Sequence, residues 1–269
     1  MHFLNPKTDF AFKKIFGSAD STDILLSFLN ALLGLKRRYQ LVDIQILDPY
    51  LAPKIKGMKD TYLDVRAKDE QDRSSLIEMQ VLNVAGFEKR ILYNACKAYA
   101  GQIKKGEDYR LLTDVIAITI TDFFMFKELP GIVNKFKLAA DSGHVFSEEL
   151  ELLFAELPKF TLEEPQLSNT LERWFYFLKH ASDLTVIPKS FEAEPALVHA
   201  FEIANKASLS PEELDDQERR EIFIQDQRGA IEFALDRGLE KGREEGDHDA
   251  RISIATALFD IIDDGTEIA

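Results

Sequence analysis

Residues 59–82 read KDTYLDVRAKDEQDRSSLIEMQVL. Two short strand-like runs, 62–67 and 75–82, flank the polar loop KDEQDRS, which is the pattern of a β-hairpin. Alternation puts Tyr62, Asp64 and Arg66 on one face of the first run and Leu76, Glu78 and Gln80 on one face of the second. If the hairpin is symmetric about Gln71, Asp64 stands directly across from Glu78, whereas a slip of one residue sends them to opposite faces. Facing carboxylates destabilise a sheet, and burial adds to the cost unless something neutralises them. Two convergent carboxylates suit a hard divalent cation, above all Mg²⁺, which activates water and offsets charge on a phosphodiester. Spacing alone leaves a second reading open, in which the acids sit on an exposed face and pair with Arg66 or Lys68.

The neighbouring segments set the hairpin in an α/β pattern. TDFAFKKIFG (8–17) predicts a helix capped by Thr8 or Asp9 and stopped at Gly17. STDILLSFLNALLGL repeats that pattern, with Ile24, Leu25, Phe28, Leu29 and Leu32 as its apolar stripe and Gly34 at its end. LVDIQILDPYL (41–51) reads as one strand and GFEKRILYNACKAYAGQIKKGEDY (86–109) as a long helix, with Cys96 a small core residue on it. TDVIAITITDF (113–123) is the β-branched run of a strand covered on both faces, and ELELLFAELPKF (149–160) reads as a further strand closed by Pro158. The order α-β-β-β-α-β is that of a mixed sheet flanked by helices. After residue 162 the chain reads as helical, which divides it into a core, 1–162, and an acidic helical region, 163–269. Ser210-Pro211-Glu212-Glu213 marks a helix start. Gly238, Gly242 and Gly246 recur in a charged segment without an apolar face, read as a solvated helix or linker, or as a glycine stripe that lets a second helix approach closely. ARISIATALFDII (250–262) reads as a final amphipathic helix.

Composition excludes several classes. A single cysteine rules out an internal disulfide or a Cys/His zinc framework. His2, His144, His180 and His199 form no metal spacing, and no Gly-rich phosphate loop or G-x-S-x-G occurs. The opening MHFLNPKTDF lacks the features of a signal peptide and no run is long enough for a membrane span, so a cytoplasmic protein without a membrane partner is expected. The net charge of −14 is uneven: residues 1–140 carry 21 Lys and Arg against 17 Asp and Glu, and residues 141–269 carry 12 against 30. The first half can therefore approach a polyanion that the second would repel.

These residues resemble a known family. Asp64, followed after the hairpin by Glu78-Met79-Gln80, resembles the D…(D/E)-x-K motif of the PD-(D/E)XK nuclease superfamily. TDFAFKKIFG, LDVRAKDEQDRSSLIEMQV, RILYNACKAYAGQIKKGEDYRLLTDVIAITI, ELPKF and LEKGREEG, in that order over about residues 5–250, resemble the Rpn family of recombination-promoting nucleases and transposases. The resemblance implies a restriction-endonuclease-like core with a helical C-terminal extension. It implies Asp64 and Glu78 as metal ligands, with the Met79 backbone carbonyl completing the inner sphere and Mn²⁺ able to replace Mg²⁺. Gln80 stands where the superfamily usually has lysine; it can orient water by hydrogen bonds but carries no charge. Leu63 stands where proline is usual. Asp9 and Lys13 match the family's N-terminal motif, facing the site or forming only a surface i,i+4 pair. Tyr93, Tyr99 and Gln102 fall where supporting residues are found, with core packing the alternative for the tyrosines.

The function expected is therefore Mg²⁺-dependent DNA endonuclease chemistry linked to recombination or transposition, with DNA as partner and a homodimer formed through the helical C-terminal region. The rival reading is a weak or inactive nuclease fold kept as a DNA- or protein-binding module, suggested by Gln80. A third has the acidic half covering the active site.

Overall fold

The computed structural model describes residues 2–35, 39–51 and 61–266. Helix α1 (Asp9–Phe16) starts where Thr8 Oγ1 accepts the Ala11 N–H and stops at Gly17. Helix α2 (Thr22–Leu33) ends at Gly34, whose φ of 71° is the left-handed cap that glycine adopts without strain. The strands are β1 (Ile44–Leu47), β2 (Tyr50–Leu51), β3 (Thr61–Tyr62), β4 (Val65–Asp69) and β5 (Ser74–Gln80). Helix α3 (Phe87–Ala100) follows, then β6 (Val115–Thr121), β7 (Val133–Ala139) and β8 (Val145–Glu156). Helices α4 (Thr170–His180), α5 (Pro195–Ile203) and α6 (Pro211–Thr266) complete the order.

Six strands form one mixed sheet in the order β1-β4-β5-β6-β8-β7, while β2 and β3 pair separately. Strands β5, β6 and β8 are parallel and the remaining pairings antiparallel. The hairpin register is Val65↔Ile77, Arg66↔Leu76, Ala67↔Ser75 and Lys68↔Ser74, the one symmetric about Gln71. Its loop fixes that register. Asp69 Oδ1 accepts the N–H groups of Gln71 and Arg73, Oδ2 accepts Arg73 Nε at 2.7 Å, and Asp72 takes a left-handed φ of 60°. Aspartate tolerates that conformation better than most residues.

Alternation gives the sheet two apolar faces. Val65, Ala67, Ile77, Met79, Ile118, Ile120, Leu153 and Ala155 join α1, α2, α4 and α5 in the main core. Trp174 is fully buried there, with its ring 5.7 Å from Phe16 and Phe28. The opposite face packs Ala117 and Phe154 under Phe87, Ile91 and Ala95 of α3. A Cβ on Gly17 would stand 2.9 Å from the Lys13 carbonyl oxygen and 3.3 Å from Val65 Cγ2, so glycine lets α1 lie close to β4.

Several elements differ from the sequence expectation. Residues 41–51 form two short strands in place of one. The 62–67 run breaks at Leu63 and Asp64, the 86–109 helix stops at Ala100, and Cys96 lies on its exposed side. Strand β7 is unforeseen because Lys135 and Lys137 alternate along it like loop residues, although charged alternation also protects an edge strand. Strand β8 begins at Val145 and ends at Glu156, and Leu157–Lys159 is a 3₁₀ turn. The ELPKF segment is a buried clamp there. Glu156 accepts the N–H groups of Met125 and Phe126, and Lys159 Nζ reaches Glu156 Oε1 at 2.6 Å and the carbonyls of Phe126 and Leu129.

The chain divides into two compact units, Met1–Glu221 and Ile222–Ala269. Helices α4 and α5 share the main core of the first unit. That unit also includes the opening of α6, where Ser210 Oγ accepts the Glu213 N–H and Glu213 Oε2 accepts the Ser210 N–H. In the second unit Gly238, Gly242 and Gly246 lie within α6, so the segment is helical and not a linker, and residues 250–262 belong to the same helix. Among the described residues no helix is long and apolar enough to cross a membrane.

Candidate active site

The break between β3 and β4 leaves the Asp64 side chain free to cross to β5, where Oδ2 accepts the Met79 N–H at 2.8 Å. Carried one residue further, the hairpin register sets Asp64 across from Glu78. Both acids line one cavity of about 1130 Å³, together with Asp9, Lys13, Gln80 and Arg90. Helix α1 brings Lys13 Nζ to 3.5 Å from Asp64 Oδ1 and 2.6 Å from Asp9 Oδ1. Helix α3 supplies Asn94, whose Nδ2 donates to Glu78 Oε1 at 2.9 Å, and Arg90, 3.9 Å from Glu78 Oε2.

Gln80 is held at both ends. Its Nε2 donates to the Leu82 carbonyl at 2.7 Å and its Oε1 accepts Arg90 Nη2 at 2.8 Å. One amide hydrogen and one lone pair remain for other partners. Tyr93 lines the same cavity. Gln102 does not: its amide braces Thr113, accepting the N–H at 2.7 Å and donating to the carbonyl at 2.8 Å, beside a second cavity. Tyr99 lies away too, donating to Glu149. The Met79 side chain faces the main core.

The electrostatics follow from burial. Burial, then the hydrogen bond with Asp9, pushes the Asp64 carboxyl from 3.8 up to about 7, with the Met79 N–H and Lys13 opposing. Burial also raises Glu78, opposed by Arg90 and Asn94. Asp9 moves the other way. Burial alone would raise it, but its bonds to Lys13 and Asp64 and the charges of Lys13 and Arg220 together bring it below the usual range. Lys13 is raised because Asp9 and Asp64 outweigh its burial. The pocket thus holds a carboxyl that keeps its proton towards neutral pH because it lacks a sufficient counter-charge.

Among the described residues no group of three or more His, Cys, Asp or Glu is arranged to hold a metal ion. The pair of Asp64 and Glu78 nevertheless fits Mg²⁺, which binds through one or two carboxylates and keeps several waters. Asn94 Oδ1 is buried without a hydrogen-bond partner, and a metal-bound water is a donor of the kind it lacks.

Three residues of the site were not foreseen. Asn94 had a signal, since it interrupts the buried stripe Phe87, Ile91, Ala95 and Ala98 with an amide. Arg90 lies one turn before it. Arg220 of α6 reaches Asp9 Oδ2 at 2.6 Å across 211 positions of sequence, which no local pattern reveals. Lys14–Glu213 and Thr8–Gln217 bonds accompany it.

No curated protein and no solved structure matches the chain. A family model described as PD-(D/E)XK nuclease family transposase matches residues 6–234, a span that includes the hairpin, the helix that covers it and the first part of α6, with Arg220. By that match the chain belongs to the PD-(D/E)XK nuclease family transposases.

Proposed function

We propose that this chain is a Mg²⁺-dependent DNA endonuclease that hydrolyses phosphodiester bonds during recombination or transposition. The observation that supports it most is the convergence of partly buried Asp64 and Glu78 in one cavity beside Lys13 and Arg90, in a member of a nuclease family. Nucleases of this kind generally use divalent metals. Asp64 and Glu78 would hold the ion, with the Met79 carbonyl as a third ligand, and Mn²⁺ could replace Mg²⁺. A bound ion of this type lowers the pKa of water and offsets charge on the phosphodiester.

The protein's own groups do the rest. Lys13 places an ammonium beside Asp64, where it can meet a phosphate oxygen and supply charge that Gln80 lacks. Asp9 holds that ammonium and is itself held by Arg220. Gln80 uses its remaining hydrogen and lone pair to orient water and fixes Arg90 towards the DNA backbone. Tyr93 lends a wall to the cavity, and Gln102 supports from a distance by bracing the approach to β6. The recombination role rests on the family alone. A homodimer through α6 is part of the proposal, supported by the exposure of Phe223, Ile231, Phe233, Leu235 and Leu239 in the second unit.

Gln80 in place of lysine favours a second reading, a catalytically weak nuclease fold that binds DNA or protein. Nicking of supercoiled plasmid in Mg²⁺ decides between them. The endonuclease reading expects the wild type to relax plasmid and both Asp64→Ala and Glu78→Gln to lose about a hundredfold or more of the rate. Equal residual nicking in all three rejects it. Mg²⁺ stabilisation of the wild type without any nicking supports the second reading.

A further inference from the structure

We propose that the chain carries a second anion site, one for a phosphate group, between β4 and α3 at the Ser74 end of β5. A cavity of about 610 Å³ lies there, separate from the one containing Glu78. Arg66, Lys68, Lys97, Ser74 and Thr113 are among its lining residues, and Asp72 is the carboxylate among them. Three cations against one acid is an unusual concentration of positive charge in a chain of net charge −14.

Arg66 is the deciding group. Its Nε is buried and has no hydrogen-bond partner; among the described residues only Asn94 Oδ1 shares that condition. Asp48 is near enough to influence Arg66 electrostatically, yet no carboxylate of the described residues pairs with its guanidinium. Buried polar groups are nearly always bonded, and an exception calls for a missing partner. Lys97 differs: its Nζ bonds the Leu51 carbonyl at 2.6 Å and Thr61 Oγ1 at 3.0 Å, so it contributes charge from a fixed position. Lys68 pairs with Asp72 at 3.3 Å and keeps further N–H donors. A guanidinium presents parallel donors that match phosphate oxygens, which makes phosphate the fitting anion class.

The position suggests how such a site relates to the first. Arg66 and Lys68 alternate on one face of β4, which begins just after Asp64, at a rise of about 3.3 Å per residue. That places the two cations about 7 Å apart along the strand, a reach open to neighbouring phosphates of one DNA strand. A free phosphate-bearing ligand has the same chemistry.

Calorimetry with inorganic phosphate, on the full chain in EDTA, tests the site without depending on catalysis. Arg66→Gln and Lys68→Gln are expected to weaken phosphate binding about tenfold, whereas Lys137→Gln on the edge strand β7 leaves this binding in place. Absence of phosphate binding by the wild type, or unchanged affinity in both variants, overturns the proposal. If Arg66→Gln fails to fold by circular dichroism, Lys68→Gln decides. A DNA duplex in the same buffer separates the sources. A DNA-backbone site predicts that phosphate competes with the duplex and that Arg66→Gln lowers the salt slope by about one. A free-ligand site predicts weaker phosphate binding with unchanged DNA affinity.

Discussion

Replacing Asp64 by Asn should stabilise the metal-free protein, and by more as the pH rises. Folded Asp64 titrates at about 7 against an ordinary 3.8. Between those values the folded state keeps a proton that the unfolded chain releases, so this group's contribution is fully present below 3.8 and is lost as pH rises through about 7. The full shift corresponds to about 4 kcal/mol at 1.36 kcal/mol per pH unit. Asp64 shares its titration with Asp9, whose carboxyl moves the other way, and partial exposure screens its charge, leaving about 2 kcal/mol as the expected gain near pH 8. For a unit of this size that is about 4 to 8 °C in Tm. Asparagine keeps the shape, and its carbonyl can accept the Met79 N–H. Thermal melts in EDTA at about pH 4 and about pH 8 should show little difference from wild type at the lower pH and the full gain at the higher. Added Mg²⁺ should then raise the wild type and leave the variant unchanged. A variant less stable than wild type at pH 8, or a gain independent of pH, would refute the reasoning.

Lys159→Met should cost about 3 to 5 kcal/mol in a denaturant melt, because it leaves the fully buried Glu156 carboxylate without its cation; a loss below about 1 kcal/mol would mean that the backbone N–H groups suffice. Arg90→Gln should raise the Glu78 carboxyl further, since Arg90 opposes its burial, and so move the pH midpoint of Mg²⁺ binding upward; a downward move in calorimetric titrations would contradict it. Arg220→Gln should cost only about 0.5 kcal/mol of stability, as the pair is partly exposed, while the release of Asp9 lowers nicking measurably. Nicking equal to wild type would remove Arg220 from the site.

Much of the hairpin that carries the candidate site is readable because its determinants are local. The hairpin register follows from period-two alternation and a seven-residue polar loop, and Asp69 and Asp72 are the residues that pin it. The approach of α1 to β4 was half visible in Gly17, but nothing in sequence showed that Val65 lies against it. Strand β7 was hidden by its lysines, whose edge role depends on pairing with β8. The glycines of α6 favour a linker over a solvated helix because each costs a helix about 1 kcal/mol relative to alanine, yet the helix continues through them. Cys96 was placed in the core from a helical pattern that is buried at positions 94, 95, 97 and 98 and exposed at 96. Gln80 looked like a simple loss of lysine; in the structure it is tied to Arg90, while Lys13 brings a cation from a helix more than sixty residues away.

Anomalous diffraction from crystals soaked in Mn²⁺ tests the central claim most directly. A manganese peak within bonding distance of both Asp64 and Glu78, absent from Asp64→Ala crystals, is the predicted result. A peak elsewhere, or none between these two carboxylates at saturating Mn²⁺, would contradict the account.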